Sequence, residues 1–151
     1  KMKMKKSKNM LIAILLIVFV LVIIVYFSIL GGFHDRKTVT FSTKPQAAEY
    51  IEKGWIPGNI PENAKNIILY YDIDTNVVNG SFQSTQEYIS KFKESLHESE
   101  KEEFIHKKRI IHPKFKNITE SFLKRDVSFY KNESYLFVIE EHTIYFFSLH
   151  P

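Results

Sequence analysis

The chain has 151 residues, with 21 Lys and Arg against 17 Asp and Glu, a formal charge of +4 and no cysteine. The missing cysteine excludes disulfides, thiol catalysis, cysteine-ligated zinc or iron-sulfur clusters and a lipid-modified cysteine anchor. Lys1, Lys3, Lys5, Lys6 and Lys8 supply all the excess charge, leaving 16 basic and 17 acidic side chains beyond residue 9, too balanced for the single-signed surface that nucleic-acid binding needs.

Residues 1–9 therefore read as a basic tail. Residues 10–30 carry no charge, and seventeen of the twenty-one are Leu, Ile, Val or Phe. As a helix the run spans about 31 Å, matching a hydrocarbon core of roughly 30 Å, and its insertion is downhill by about 5–10 kcal/mol. A buried core helix would be shorter and amphipathic. A cleaved signal peptide would have an apolar stretch of about 7–15 residues and a small-x-small end, whereas this one closes on Phe27-Ser28-Ile29-Leu30. The expectation is a retained single-pass transmembrane helix in the cytoplasmic membrane, with the lipid bilayer as its first partner. Five lysines before the span outweigh Arg36 and Lys37 after it, which puts the tail inside and the remainder outside.

Residues 31–37, opening on Gly31-Gly32, form a short linker, and residues 38–151 one extracytoplasmic head. Its 10 Phe, 7 Tyr and Trp55 suffice for a core. Thr38 to Phe41 reads as a strand. Thr43-Lys44-Pro45-Gln46 has capping-box spacing with an early proline, predicting a helix over about 44–53 that ends at Gly54. Pro57, Gly58 and Pro61 make 54–64 a loop. Ile67 to Tyr71 and Val77 to Gln83 read as a hairpin around a turn at 72–76. Ser84-x-x-Glu87 suggests a second capping box before a helix with Tyr88, Ile89, Phe92 and Leu96 on one face. A strand is expected near 104–111 and a short helix from Asn117. Val127 to Tyr130, Tyr135 to Glu140 and Thr143 to Leu149 read as a three-stranded meander. The predicted class is α+β, one antiparallel sheet with helices on one face and no internal repeat.

Motifs for chemistry fail one by one. Asp72-x-Asp74-x-Asn76 starts like a calcium loop, but Val77 and Gln83 stand where glycine and glutamate belong, so a hairpin turn with local Asx bonds is the simpler account. The six histidines lack His-Glu-x-x-His spacing, no Gly-x-Ser-x-Gly elbow occurs, and five glycines form no phosphate loop. Nothing calls for a cofactor or metal. Lys107-Lys108-Arg109, beside His106 and His112, offers a contact for anionic lipid or an acidic partner; the preceding Glu98 to Glu103 run makes mutual neutralisation the more economical reading. Asn79, Asn117 and Asn132 each open a glycosylation acceptor triplet.

Gly54-Trp55-Ile56-Pro57, Ile60-Pro61, Ala64, Ile67 and Asp72-Ile73-Asp74-Thr75-Asn76 before Phe82 form an ordered string. It resembles, over about 54–82, small bacterial envelope proteins with a YbbD-type head domain. The resemblance implies a lipid- or helix-anchored head in the cell envelope, with Trp55 and Asp74 in one shared structural feature, and implies no activity. Tyr71-Asp72 stands where the resembling pattern has His-Asn. The leading expectation is a membrane-anchored, non-enzymatic binding module contacting another envelope or membrane protein, as an accessory subunit or an immunity-type protein. Its contact residues would be Trp55, Ile56, Pro57, Ile60 and Pro61, where aromatics beside prolines make anchors, unless Trp55 simply plugs the core. The alternative is a small tethered hydrolase or polar-ligand sensor using Asp72, Asp74, Asn76 or a histidine.

Overall fold

The structure is a computed structural model that describes residues 2–30, 36–110, 112–125 and 127–149; the side chains at 2–9, 27–30 and 113 lie outside that description. The chain forms two compact units, Lys1–His34 and Asp35–Pro151, and each is considered by itself. In the first, helix α1 (Met2–Leu30) runs through the segment read as a separate tail. Lys and Met favour helix, and no glycine or proline interrupts residues 2–30, so nothing in the sequence stops the helix at residue 10. From Met10 to Tyr26 its large apolar side chains all stand exposed, on every side of the helix. Among the described residues no helix is long and apolar enough to cross a membrane. The part of α1 with described side chains, 10–26, is seventeen residues, about 26 Å against a hydrocarbon core of roughly 30 Å. The Gly31-Gly32 joint lies outside the described residues.

The second unit is α+β. Its strands are β1 (Arg36–Thr43), β2 (Lys65–Asp72), β3 (Val77–Gln83), β4 (His97–Ser99), β5 (Phe129–Lys131), β6 (Tyr135–Glu140) and β7 (Thr143–Ser148), in one antiparallel sheet of order β1-β2-β3-β7-β6-β5-β4. Between β1 and β2 lie a 3₁₀ turn (Lys44–Ala47) and α2 (Ala48–Glu52); α3 (Gln86–Glu94) follows β3. Helices α4 (Lys101–Lys107) and α5 (Pro113–Phe122) connect β4 to β5. Each outer pair of the sheet is thus two antiparallel strands joined through helix, β1 with β2 and β4 with β5.

The helices cover both faces of the sheet, which corrects the expectation of one covered face. Ala47, Ile89 and Phe92 pack with Ile67, Leu69, Phe82, Phe137, Ile144 and Phe146 on one side. Phe104, Phe115 and Phe122 pack with Phe129, Leu136, Val138 and Phe147 on the other. Successive side chains of a strand point to opposite faces. The unbroken apolar runs of β6 and β7 therefore need cover on both, and α4 and α5 supply the second layer.

Three local expectations also change. Residues 104–107 belong to α4 and not to a strand: Glu102 and Glu103 start the helix, His106 and Lys107 end it, and the Lys107 Nζ–Glu103 pair at 2.8 Å spans one turn, all favourable to the helix dipole. The short edge strand β4 precedes it. Helix α5 begins at Pro113, where His112 Nδ1 accepts the Lys114 amide at 3.2 Å, so Asn117 is mid-helix. Neither capping box forms: Thr43 and Thr85 cap without side-chain bonds, and Ser84 Oγ donates instead to Asn63 Oδ1 at 2.5 Å.

Candidate functional site

The loop after α2 starts with a turn that only an unhindered residue makes cheaply. Gly54 has φ +71°, the left-handed region, and lets the Trp55 and Ile56 amides donate back to Tyr50 O at 2.9 and 3.2 Å. The reversal lays the Trp55 indole on Tyr71, ring centroids 4.2 Å apart, with Tyr50 at 5.7 Å. Lys53 Nζ lies 5.7 Å from both the Tyr50 and Trp55 rings, within cation–π range. A hydrogen bond from Lys53 to Glu49 at 2.5 Å raises the pKa of the ammonium above its ordinary value.

Beside this loop, at the end of β2 that carries Tyr71, the β2–β3 turn is organised by Asp72. Its carboxylate is 1% exposed. Oδ1 accepts the Asp74 and Thr75 amides at 3.1 and 3.3 Å, and Oδ2 accepts Arg36 Nε at 3.3 Å. The carboxylate is thereby committed to closing the turn and to holding β1. Asn76, at φ +53°, completes the reversal; asparagine tolerates that conformation better than most side chains.

These two loops meet at a cleft of about 360 Å³ lined by Lys53, Gly54, Trp55, Asn76, Val78, Ser134, Tyr135 and Ser148. Tyr135 Oη donates to Gly54 O, tying the start of β6 to the loop, and burial pushes the phenol up to about 12. Ser148 Oγ accepts the Val78 amide at 2.9 Å. Asn132 Oδ1 fixes the far lip by accepting the Ser134 and Tyr135 amides at 2.9 and 2.8 Å. The cleft offers an aromatic wall, a cation and amide and hydroxyl groups.

Of the residues singled out in sequence, Trp55 and Asn76 line this cleft together. Ile56, Pro57, Ile60 and Pro61 are buried, so of the proposed contact residues Trp55 alone keeps an accessible part. Asp74 is exposed at the turn, and neither it, Asp72 nor any histidine is part of the lining. His97, His106 and His142 are exposed, and His112 stacks on Tyr70 at 4.4 Å. Among the described residues no group of three His, Asp or Glu is placed to hold a metal ion. Asn79 of the first glycosylation triplet is fully buried and donates to Arg109 O at 2.6 Å, which removes it as an acceptor. Tyr135, Ser134 and Ser148 were not read from the sequence; they reach the cleft from the opposite end of the domain, Tyr135 at a separation of 81 residues from Gly54, and no local motif announces them.

The fold and cleft define a small α+β head, its sheet covered on both faces, whose cleft is lined by the loop after α2, the β2–β3 turn and β3 and closed by the start of β6 and the end of β7. Residues 35–83 match the family described as the YbbD head domain. The match covers β1 through β3 with α2, and so includes Trp55, Asp72, Asp74 and Asn76. No curated protein and no solved structure matches the chain.

Proposed function

We propose that the protein is a membrane-tethered, non-enzymatic binding module: α1 anchors it in the cytoplasmic membrane, its lysine-bearing end inside, and the head works outside, on another envelope protein. The observation that carries this reading is the uncharged run of residues 10–30, whose predicted insertion is downhill by about 5–10 kcal/mol. The YbbD head match over 35–83 supports a head of this kind. The cleft beside Trp55 is the contact favoured here, as a half-covered indole in a rigid aromatic cluster can receive a partner's side chain at low entropic cost. In cells, the full chain should stay with membranes through alkaline carbonate, and a reporter active only in the cytoplasm, fused after Pro151, should be silent. Release by carbonate, or a bright reporter, refutes the anchor or its orientation respectively.

A second reading, a sensor of a small polar ligand, is favoured by the cleft itself, because Lys53 and Asn76 flank the indole there. Asn76→Gly, which removes the amide and keeps the left-handed turn, should then abolish ligand-induced thermal stabilisation while leaving the unliganded melting temperature nearly unchanged.

A further inference from the structure

We infer that the α4–α5 corner of the head is a second membrane contact, a basic surface that rests on anionic lipid headgroups; the inference builds on the tethered reading above. From Phe104 to Thr119 the chain carries Lys107, Lys108, Arg109, Lys114 and Lys116 and no acidic residue. Neutralisation by the preceding glutamates reaches only the first of these. Glu103 pairs with Lys107 at 2.8 Å and, through its other oxygen, with Lys131 at 2.7 Å, which draws it toward the sheet. Lys108 Nζ is turned to Ile105 O at 2.9 Å. Arg109, Lys114 and Lys116 are exposed and have no ion pair among the described residues. The acidic side chains of α4 thus lie in its first turn, and beyond Lys107, which Glu103 holds, the charged side chains are all basic up to Glu120.

Two further features suit a lipid surface. Ile105 is 38% exposed beside the basic group; such a side chain reaches the acyl boundary while neighbouring cations meet headgroups. The corner is also held firmly, because the buried Asn79 of β3 donates to Arg109 O at 2.6 Å and the His112 ring lies on Tyr70. Cations presented from a fixed frame lose little entropy on meeting a charged plane.

The test uses the full chain, reconstituted into vesicles of neutral phosphatidylcholine or of phosphatidylcholine with about 30% phosphatidylglycerol. Because the sequence has no cysteine, Asn117→Cys on the exposed side of α5 gives a single site for an environment-sensitive dye. At roughly fivefold per basic residue near an anionic surface, the dye should report lipid contact at least about tenfold more in anionic than in neutral vesicles. That excess should vanish in about 0.5 M salt and in the triple variant Arg109→Glu, Lys114→Glu, Lys116→Glu. The pair Lys91→Glu, Lys93→Glu on α3 should leave it intact. Equal signals in the two vesicle types, or an unchanged triple variant with native circular dichroism, overturn the inference. Flotation separates this from the anchor. A chain that floats only with anionic vesicles refutes the anchor, and the basic surface then stands if the triple variant no longer floats and falls if it floats equally, because the lysines of residues 1–9 also bind anionic lipid; a chain that floats with neither refutes both.

Discussion

Gly80 offers the sharpest test of the packing. It lies opposite Phe146 in the β3–β7 register, and a Cβ built there would fall 2.0 Å from Phe146 Cζ and 2.6 Å from both Cε atoms. The ring cannot give way cheaply: Phe146 is fully buried, with Tyr135 edge-on at 5.8 Å and Phe82 at 6.3 Å. Overpacking in a tight core costs about 1–3 kcal/mol, and a contact this short puts Gly80→Ala at the upper end, about 3 kcal/mol, or near 12 °C in melting temperature for a domain of this size. Urea unfolding of the full chain in detergent, followed by the fluorescence of the sole tryptophan, reads the head directly. Phe146→Leu alone should cost about 1–2 kcal/mol for lost contacts, but it also frees the space that the new methyl needs. The double variant should therefore be about 2 kcal/mol more stable than the sum of the singles. A Gly80→Ala protein within about 0.5 kcal/mol of the parent, or a cycle additive within that margin, would refute the reasoning.

Acid should loosen the β4 edge first. Hydrogen bonds from Lys107, Lys131 and Ser99 hold the Glu103 carboxyl down to about 2 from an ordinary 4.5. Its contribution is complete above pH 4.5 and fades as the pH falls toward 2, so Glu103→Gln should flatten the stability profile in that window and leave it unchanged in shape above. At the alkaline end, Tyr135 titrates near 12 instead of 10 because it is buried. Its neutral form contributes fully below pH 10 and up to about 3 kcal/mol is lost as the pH rises through 12, a loss absent from Tyr135→Phe and visible as a delayed phenolate absorbance. In the β2–β3 turn, Asp72→Ala strands two amides and Arg36 and should cost about 2–3 kcal/mol in denaturant unfolding, whereas Asp72→Asn, which keeps an acceptor, should cost about half of that. Equal losses for the two would show that charge, and not the turn, is what Asp72 supplies.

How far the sequence speaks for the fold depends on whether a residue's role is set locally. The β2–β3 hairpin and the β6 and β7 bounds follow from alternating β-branched and aromatic residues around Asp, Asn and Glu turns, and all three emerge within two residues. Phe104-Ile105 and Ile110 imitate strand fragments. What decides for helix is the Glu103–Lys107 spacing and the burial of Phe104 with Ile105 left outside, and only the second needs the structure. The two-sided core was legible and was misread. Leu136-Phe137-Val138 and Phe146-Phe147 put apolar groups on successive positions, the signature of strands covered on both sides. At the site, Trp55 and Asn76 sit in one recognisable string, but Tyr135, Ser134 and Ser148 arrive by strand pairing from the far end of the chain. A hydroxyl on an otherwise apolar strand gives no hint of the cleft it will face.

The place where the YbbD match stops has a consequence for how this protein can be divided. Residue 83 closes β3, yet β3 is an interior strand: its outer backbone is paired to β7, Gly80 cradles the Phe146 ring and Asn79 clasps the connection before α5. A fragment cut at that boundary would bare a raw, sticky border and lose the aromatic lid over its glycine. The stretch that matches is thus narrower than what must fold together, and recombination at residue 83 would separate two halves that are each other's missing wall.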